Sequence, residues 1–414
     1  MIDLKTNKTY CPYLFRGGII KVPDGNFEPC CRFDQQQYSK EYLQDGYNSV
    51  WKDIRKQSLN GEKIQGCWRC YQDEQAGLKS MRTAAFTEHS DVPYQDYKNQ
   101  NDLSNTKLEF LEIQTGRYCN LKCRSCGPWL STTWDEDLEA DSTVEEHFFG
   151  KNSTRFTDIK LLPKVNESLV KFSYDTLKDL KRIKATGGEP FLSDQFQNFL
   201  SNLVDWDIAK NIDIEVFTNC SFFPKQQYRE LLPKFKSIKI TLSLDAVDQR
   251  AEFLRKNSSW NKVTESATKW IDFALENSQT RISISHTITI YNALYLSEFI
   301  DWMMPHFSKI ILENKFDFDL HLAQTPQYMS LLNVNSQIQK QMLKIIQEQQ
   351  QKILSKHPNY SSMINKSYDR ITKGLSKHVS DLSQVFLEKT KLIDDVRNEK
   401  WQNTFPELAE VLDE

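Results

Sequence analysis

The stretch Tyr118-Cys-Asn-Leu-Lys-Cys-Arg-Ser-Cys-Gly-Pro-Trp129 places Cys119, Cys123 and Cys126 at the spacing C-x3-C-x2-C. It follows the apolar-rich run Leu108-Glu-Phe-Leu-Glu-Ile113. A strand over that run ends near Thr115 and releases the thiols into the loop beyond its carboxyl end. Four closely spaced thiolates would close a tetrahedral zinc site or saturate an iron–sulfur cluster. Three leave one iron of a four-iron cube without a protein ligand, and an open position is what chemistry needs.

Outward from this loop, the composition sets bounds. A chain of 414 residues predicts two or more folding units. The net charge of -3 leaves no electrostatic footprint for nucleic acid or an anionic membrane. No apolar run approaches the roughly 20 residues that span a bilayer. The start, MIDLKTNKTYCPYL, lacks a basic segment followed by an apolar one, which points to the cytoplasm. Eight of the nine cysteines precede position 127, in tight groups: Cys11; Cys30 and Cys31; Cys67 and Cys70; and the triad. Cys220 stands alone. Clustered thiols in a large chain without a signal peptide read as metal ligands and not as a disulfide framework.

In chain order, Ile19-Ile20-Lys21-Val22, Pro23-Asp24-Gly25 and Asn26-Phe27-Glu28-Pro29 read as strand, turn and returning strand. Such a hairpin can bring Cys11 near Cys30. Residues 39–60 follow as a helix, and then Cys67-Trp68-Arg69-Cys70, a pair able to place two sulfurs on one metal or cluster. Trp68 is placed to shield it from water. The organisation expected is a cysteine-rich module over 1–86, a polar linker over 87–107, an α/β domain over 108–330 and a helical extension over 331–414. Strands are expected at 108–115, 182–186, 211–218, 237–245, 281–290 and 309–322. Helices are expected between them at 193–205, 224–235, 259–276 and 293–304. This alternation argues for a parallel sheet with crossover helices, six units fitting an incomplete barrel better than a full eight. Residues 128–178 exceed a single crossover and read as an insertion, a candidate lid.

Period-2 alternation separates the two faces of the later strands. Isoleucines and leucines lie on one face of 237–245 and 281–290, with serines, threonines and Asp245 on the other. In 315–322, Asp317, Asp319 and His321 fall opposite the phenylalanines and leucines. The polar face therefore lines an open interior suited to a polar ligand. Asp319 and His321 are the candidates there for substrate contact or proton transfer, while His286 falls among the core isoleucines. Cys220 has two readings: a hydrogen-atom donor at the barrel mouth, or a small buried hydrophobe.

Cys-Asn-Leu-Lys-Cys-Arg-Ser-Cys, then Thr186-Gly187-Gly188-Glu189-Pro190, Phe217-Thr218-Asn219 and Ser243-Leu244-Asp245 resemble the motifs of the radical S-adenosylmethionine superfamily. They come in its order, each at the carboxyl end of an expected strand. The resemblance covers about Leu108 to Ala323 and implies a partial (β/α)6 barrel of the TIM type. It implies that Cys119, Cys123 and Cys126 hold a [4Fe–4S] cluster whose open iron takes S-adenosylmethionine. One-electron reduction then yields a 5′-deoxyadenosyl radical that abstracts hydrogen from a substrate. Gly187 and Gly188 would let backbone approach the cofactor, with Glu189 beside it. Thr218 and Asn219 match a ribose contact, Ser243 and Asp245 a polar contact, and Arg255 a carboxylate partner. Two positions depart from the pattern: Ser125 stands where an aromatic residue is usual, and Cys220 where a glycine often follows Thr-Asn.

Cys11, Gly25 and Cys30, with Cys67 and Cys70, resemble the auxiliary-cluster modules called twitch or SPASM. The module usually follows the barrel, and here it precedes it. The resemblance implies a second iron–sulfur cluster, with Cys31 as a surplus thiol able to replace Cys30. It also implies a low-potential electron donor of the flavodoxin or ferredoxin type and a peptide or protein substrate. A small-molecule or nucleoside substrate is the second enzymatic reading. A non-catalytic zinc or iron–sulfur interaction module is the alternative outside enzymes.

Overall fold

A computed structural model describes residues 8–21, 27–34, 46–75, 79–88, 97–98, 103, 106–149, 164, 169, 172–377 and 379–413. Its strands, in chain order, are β1 (Gly17–Ile20), β2 (Phe27–Glu28), β3 (Phe110–Gln114), β4 (Lys122–Cys123) and β5 (Arg182–Thr186). They continue as β6 (Asp213–Thr218), β7 (Ser237–Ser243), β8 (Arg255–Lys256), β9 (Thr280–Ile288) and β10 (Phe316–Leu322). The fold is α/β, a mostly parallel sheet with crossover helices and a helical C-terminal region, as the alternation predicts. One expected strand is corrected: of 309–322, only β10 is extended, because Ile310 to Leu312 belong to the helix Ser308–Leu312. Asn314, at φ 55°, breaks that helix before the strand starts, and asparagine tolerates this left-handed conformation.

The chain divides into two units. The first comprises Met1–Gly116, Pro163–Glu215 and Glu230–Ser237. Within it β1 pairs in parallel with β3, and β3 with β5, while β2 returns antiparallel to β1. The N-terminal hairpin thus extends the sheet that β3 and β5 begin. Its turn, Pro23-Asp24-Gly25, lies outside the described residues. Leu111, Ile113, Ile183 and Ala185 are fully buried on one face. Register places Glu112 beside Lys184 on the other. A core of Tyr10, Tyr13, Leu14, Phe15, Phe33 and Ile54 packs below the hairpin. The stretch expected as linker contributes Tyr97 and Leu103 to this core. Tyr97 sits on Phe15, ring centroids 4.6 Å apart, and Leu103 gives its carbonyl to buried Arg55.

The second unit comprises Arg117–Leu162, Val216–Arg229 and Ile238–Glu414. Here β7, β9 and β10 run parallel in that order. Ile238, Ile240, Leu242, Ile282, Ile284 and Ile288 are buried against helices such as Trp260–Glu276, whose Ala267, Trp270, Ile271 and Ala274 face the core. His286 is buried between Phe299 and Phe318, and burial pushes its pKa down to about 4, so it is neutral at pH 7. The opposite face is polar, as the alternation requires. There Asp317 pairs with Arg281, and Asp319 accepts from Ser283 and lies 3.6 Å from Lys239. From residue 336 onward the chain is helical, and Ile338, Met342, Ile346 and Ile353 form the buried stripe of Ser336–Lys356. Of the expected insertion, Trp134–Ala140, Thr143–Phe149 and Tyr174–Leu177 are helical. Residues 150–163 lie outside the described residues. Among the described residues no helix is long and apolar enough to cross a membrane.

Candidate metal centres

In the second unit, the triad loop leaves the strand region and is pinned by a two-residue strand pair. Lys122 and Cys123 (β4) lie antiparallel to Lys256 and Arg255 (β8). This sets Arg255 beside the thiols: its Nη1 is 3.9 Å from Cys123 Sγ, and its charge also acts on Cys119 and Cys126. Arg255 thus contacts Cys123 directly and reaches Cys119 and Cys126 through its charge alone. Asp245, at the carboxyl end of β7, holds that guanidinium at 2.6 Å and receives the backbone N–H of Thr287 at 2.8 Å. Burial pushes the Cys126 thiol up to about 12 and raises Cys123, where the cation of Arg255 acts in opposition.

Asn219 follows β6, and its Nδ2 lies 3.8 Å from Cys119 Sγ and 3.0 Å from Asn120 Oδ1. Its Oδ1 accepts from the backbone and hydroxyl of Ser221, and Asn120 Nδ2 donates to the same hydroxyl. Thr218 is buried, and its hydroxyl accepts from the N–H of Cys220. Sequence reading missed Asn120, Ser221 and Asn292, which donates to the Asp245 carbonyl at 2.7 Å. Isolated polar residues in loops carry no spacing signal. A small pocket lies beside Ser125, lined by Asp245, Leu254, Thr287, Thr289, Asn292 and Met329.

Cys220 takes the second of its two readings, and the expectation for Asp319 and His321 changes. Cys220 is fully buried, with its sulfur 3.7 Å from the Val263 carbonyl and 3.6 Å from Ser266 Oγ. That is the packing of a small hydrophobe, not of a thiol open to substrate. His321 is exposed and Asp319 is half-exposed. Both therefore lie on an open face, and Asp319 is already engaged by Ser283 and Lys239.

In the first unit, Gly187 has φ +114°, and a Cβ there would stand 2.7 Å from the Thr115 nitrogen and 3.1 Å from the Gly116 carbonyl. Gly188 donates to that carbonyl at 2.8 Å. Gly116 lies three positions before Cys119 in the chain. Backbone crowding alone requires glycine at 187. We expect Gly187→Ala to destabilise the chain by about 1–3 kcal/mol through forced backbone strain, read as a lowered melting temperature of the metal-free protein. Glu189 is buried, and its carboxylate caps the turn Pro190–Leu192 through the Phe191 N–H.

The same unit brings Cys11, Cys30, Cys67 and Cys70 to the wall of one cavity of about 360 Å³. Cys11 precedes the turn Tyr13–Arg16, and Cys30 follows β2. Cys67 ends the turn Gln65–Cys67, and Cys70 lies in the helix Trp68–Gln75, buried. Tyr13, Leu14, Pro29, Phe33 and Met81 make the rest of the wall largely apolar. Burial pushes Cys11 up to about 12 and raises Cys30 and Cys67 well above the ordinary thiol range. One buried cation meets them, Arg82, held by Glu74 through Nε and Nη2 and by the Tyr10 carbonyl at 3.0 Å. Neither Arg82 nor Glu74 belongs to a cysteine motif, so spacing gave no signal for them. Cys31 turns elsewhere: Glu112, Lys184 and Lys21 surround it, its thiol donates to Glu112, and burial raises it to about 11. Trp68 does not seal the cavity. It is 42% exposed, and its indole donates to Asp34 at 2.7 Å.

Among the described residues, no three His, Cys, Asp or Glu side chains stand close enough to hold one metal ion. Thiolates on a single zinc would be about 3.8 Å apart, from the 2.3 Å zinc–sulfur bond and a tetrahedral angle. A cube takes its ligands at separate iron corners and asks for a wider set. Donor chemistry in both places, all sulfur with one guanidinium close by, fits an iron–sulfur cluster.

No family model matches the sequence. Over 170 residues, 41% of this chain, it is 25% identical to the GTP 3',8-cyclase of Campylobacter curvus (strain 525.92). The match spans 45% of that relative's length. Among solved structures, native anSMEcpe with bound AdoMet and Cp18Cys peptide is 15% identical, with 66% of this chain and 62% of that one covered, at a TM-score of 0.37. Streptococcus suis SuiB bound to precursor peptide SuiA is 15% identical over 64% of this chain and 66% of that one, at a TM-score of 0.28. The ordered motifs and the similarity to the cyclase support membership of the radical S-adenosylmethionine superfamily.

Proposed function

We propose that the chain is an enzyme that cleaves S-adenosylmethionine reductively at a [4Fe–4S] cluster held by Cys119, Cys123 and Cys126. One observation carries this reading. Arg255 contacts Cys123 at 3.9 Å and Asn219 contacts Cys119 at 3.8 Å, and the fourth cysteine of the unit, Cys220, is turned into the core. The set therefore stops at three protein ligands. With cluster and cofactor bound, their chemistry supplies a 5′-deoxyadenosyl radical able to take hydrogen from a substrate. The chain's part is to bind and orient. Asn219 and Arg255 offer N–H donors at the sulfurs, and charge-assisted contacts of this kind stabilise thiolate. The pocket beside Ser125 presents hydroxyl, carboxylate and amide groups of a polarity suited to a polar ligand.

Cys11, Cys30, Cys67 and Cys70 are assigned as four ligands of a second, fully ligated cluster serving electron transfer. The substrate class we favour is a peptide or protein, as the likeness of these thiols to auxiliary-cluster modules implies. A flavodoxin- or ferredoxin-type protein is the proposed electron donor. All nine cysteines are free, which suits a reducing compartment, and the cytoplasm is the compartment proposed.

The test is anaerobic reconstitution with iron and sulfide, followed by metal analysis and an assay for 5′-deoxyadenosine. Roughly eight irons per chain are expected for two four-iron cubes, together with cofactor cleavage under reduction. Bound zinc, no brown colour and no cleavage would favour the interaction-module reading instead.

A further inference from the structure

The triad loop is gripped by the far end of the chain. Arg124, directly after Cys123, is 3% exposed, and its Nη2 pairs with Asp394 and, at 2.6 Å, with Glu399. Its guanidinium lies 3.8 Å from the centroid of Phe253. Arg397 donates from Nη2 to the Lys122 carbonyl at 3.0 Å and from Nε to Asp137 at 2.8 Å. Asp137 in turn holds Lys122 at 2.6 Å. Glu399 also pairs with Lys256, which faces Lys122 across β4 and β8. The segment 394–401 is itself a fixed turn. Asn398 takes φ 50°, Glu399 N–H reaches the Asp394 carbonyl at 2.8 Å, and Trp401 N–H reaches the Asp394 carboxylate at 2.7 Å.

These charged contacts fall on residues 122 and 124, on either side of Cys123, or on Lys256, the strand partner of Lys122. Apolar contacts already dock the same region: Phe386 and Phe405 pack on Tyr291, and Ile393 joins Trp134 and Leu138. Buried ion pairs add little net stability over apolar packing, but they fix geometry. We propose that Asp394, Arg397 and Glu399 form a positioning clamp that holds the cysteine loop in its cluster-binding conformation. The proposal rests on the triad being the cluster site. None of these residues touches the cluster or the substrate. They act through Arg124 and the β4 backbone.

The experiment uses the full chain carrying Cys67→Ala and Cys70→Ala, so that the iron retained belongs to the triad. Into this parent go Glu399→Gln, which keeps the shape and loses the charge, Asp394→Asn as a second test, and Glu407→Gln as control. Glu407 contacts Tyr295 in the same C-terminal region, away from the loop. Three readouts are taken: iron release to a ferrous chelator, the electron paramagnetic resonance line shape of the reduced cluster, and the melting temperature of the metal-free chain. The clamp predicts release about 10-fold faster for Glu399→Gln, the lower end for groups that orient metal ligands. It also predicts an altered line shape. Both are measured below the metal-free melting temperature, which falls because one partner of a buried ion pair is neutralised. Release and line shape equal to the parent's in both clamp variants would overturn it. So would equal acceleration by the control, which would mark a general loss of stability. A parent that takes up no iron would instead refute the cluster reading itself, and the clamp with it.

Discussion

Cys123→Ala is expected to abolish formation of 5′-deoxyadenosine from S-adenosylmethionine and to lower the iron content from about eight to about four atoms per chain. The site starts with three thiol ligands, so losing one leaves two, and no other thiol stands ready. The remaining cysteine of the unit, Cys220, faces Val263 and Ser266 and would have to leave a packed core to replace it. The substitution removes one sulfur and spares the architecture. Cys123 is held by backbone pairing with Arg255, which alanine also makes, and Arg255 keeps its 2.6 Å contact with Asp245. The change should therefore remove metal without unfolding the chain, and the N-terminal thiols, in the other unit, should keep theirs. Iron analysis and chromatographic detection of 5′-deoxyadenosine check both halves. Cleavage persisting at the wild-type rate would mean that other cysteines carry the chemistry.

How much of this was legible in the sequence depends on whether a residue acts through spacing or through the fold. The C-x3-C-x2-C triad, the Gly187-Gly188 turn and the alternation in β7 and β9 are local patterns, so the strands and their carboxyl-end motifs could be placed from sequence alone. Arg255 was placed by resemblance, and its contact with Cys123 became visible only with the β4–β8 pair. That pair brings positions 123 and 255 together, and no local signal announces it. The same limit hid Arg82 at the N-terminal cavity and the clamp at 394–399, whose partners lie 143 to 275 positions away in sequence. The N-terminal hairpin was read as part of a separate module because composition changes after residue 86. It instead continues a sheet, since parallel pairing of β1 with β3 is a long-range choice. In 309–322 the apolar run was read as strand throughout. Short apolar runs do not distinguish strand from helix, and Asn314 decided the boundary.

Sequence left open whether Cys30 or Cys31 serves the N-terminal site, and the two make opposite predictions. Adjacent residues at a bend send their side chains in different directions, and here only Cys30 lines the cavity with Cys11, Cys67 and Cys70. Cys31 is hydrogen-bonded to Glu112, with Lys184 and Lys21 nearby. To reach the cavity it would have to break that contact and exchange places with Cys30. In a chain whose triad is replaced by alanines, the iron retained reports on the N-terminal site alone. There Cys30→Ala is expected to lose essentially all of the roughly four irons of a cube, whereas Cys31→Ala keeps them. Arg82 sharpens the comparison, because it lines the cavity with Cys11, Cys30 and Cys67, and Cys31 does not. A positive charge beside a cluster favours its reduced, more negative state, so Arg82→Gln should lower the reduction potential while Cys31→Ala leaves it unchanged. Iron lost on removing Cys31 and kept on removing Cys30 would reverse the ligand assignment. Iron kept in both would take this pair out of the ligand set, and the four-thiolate site with it.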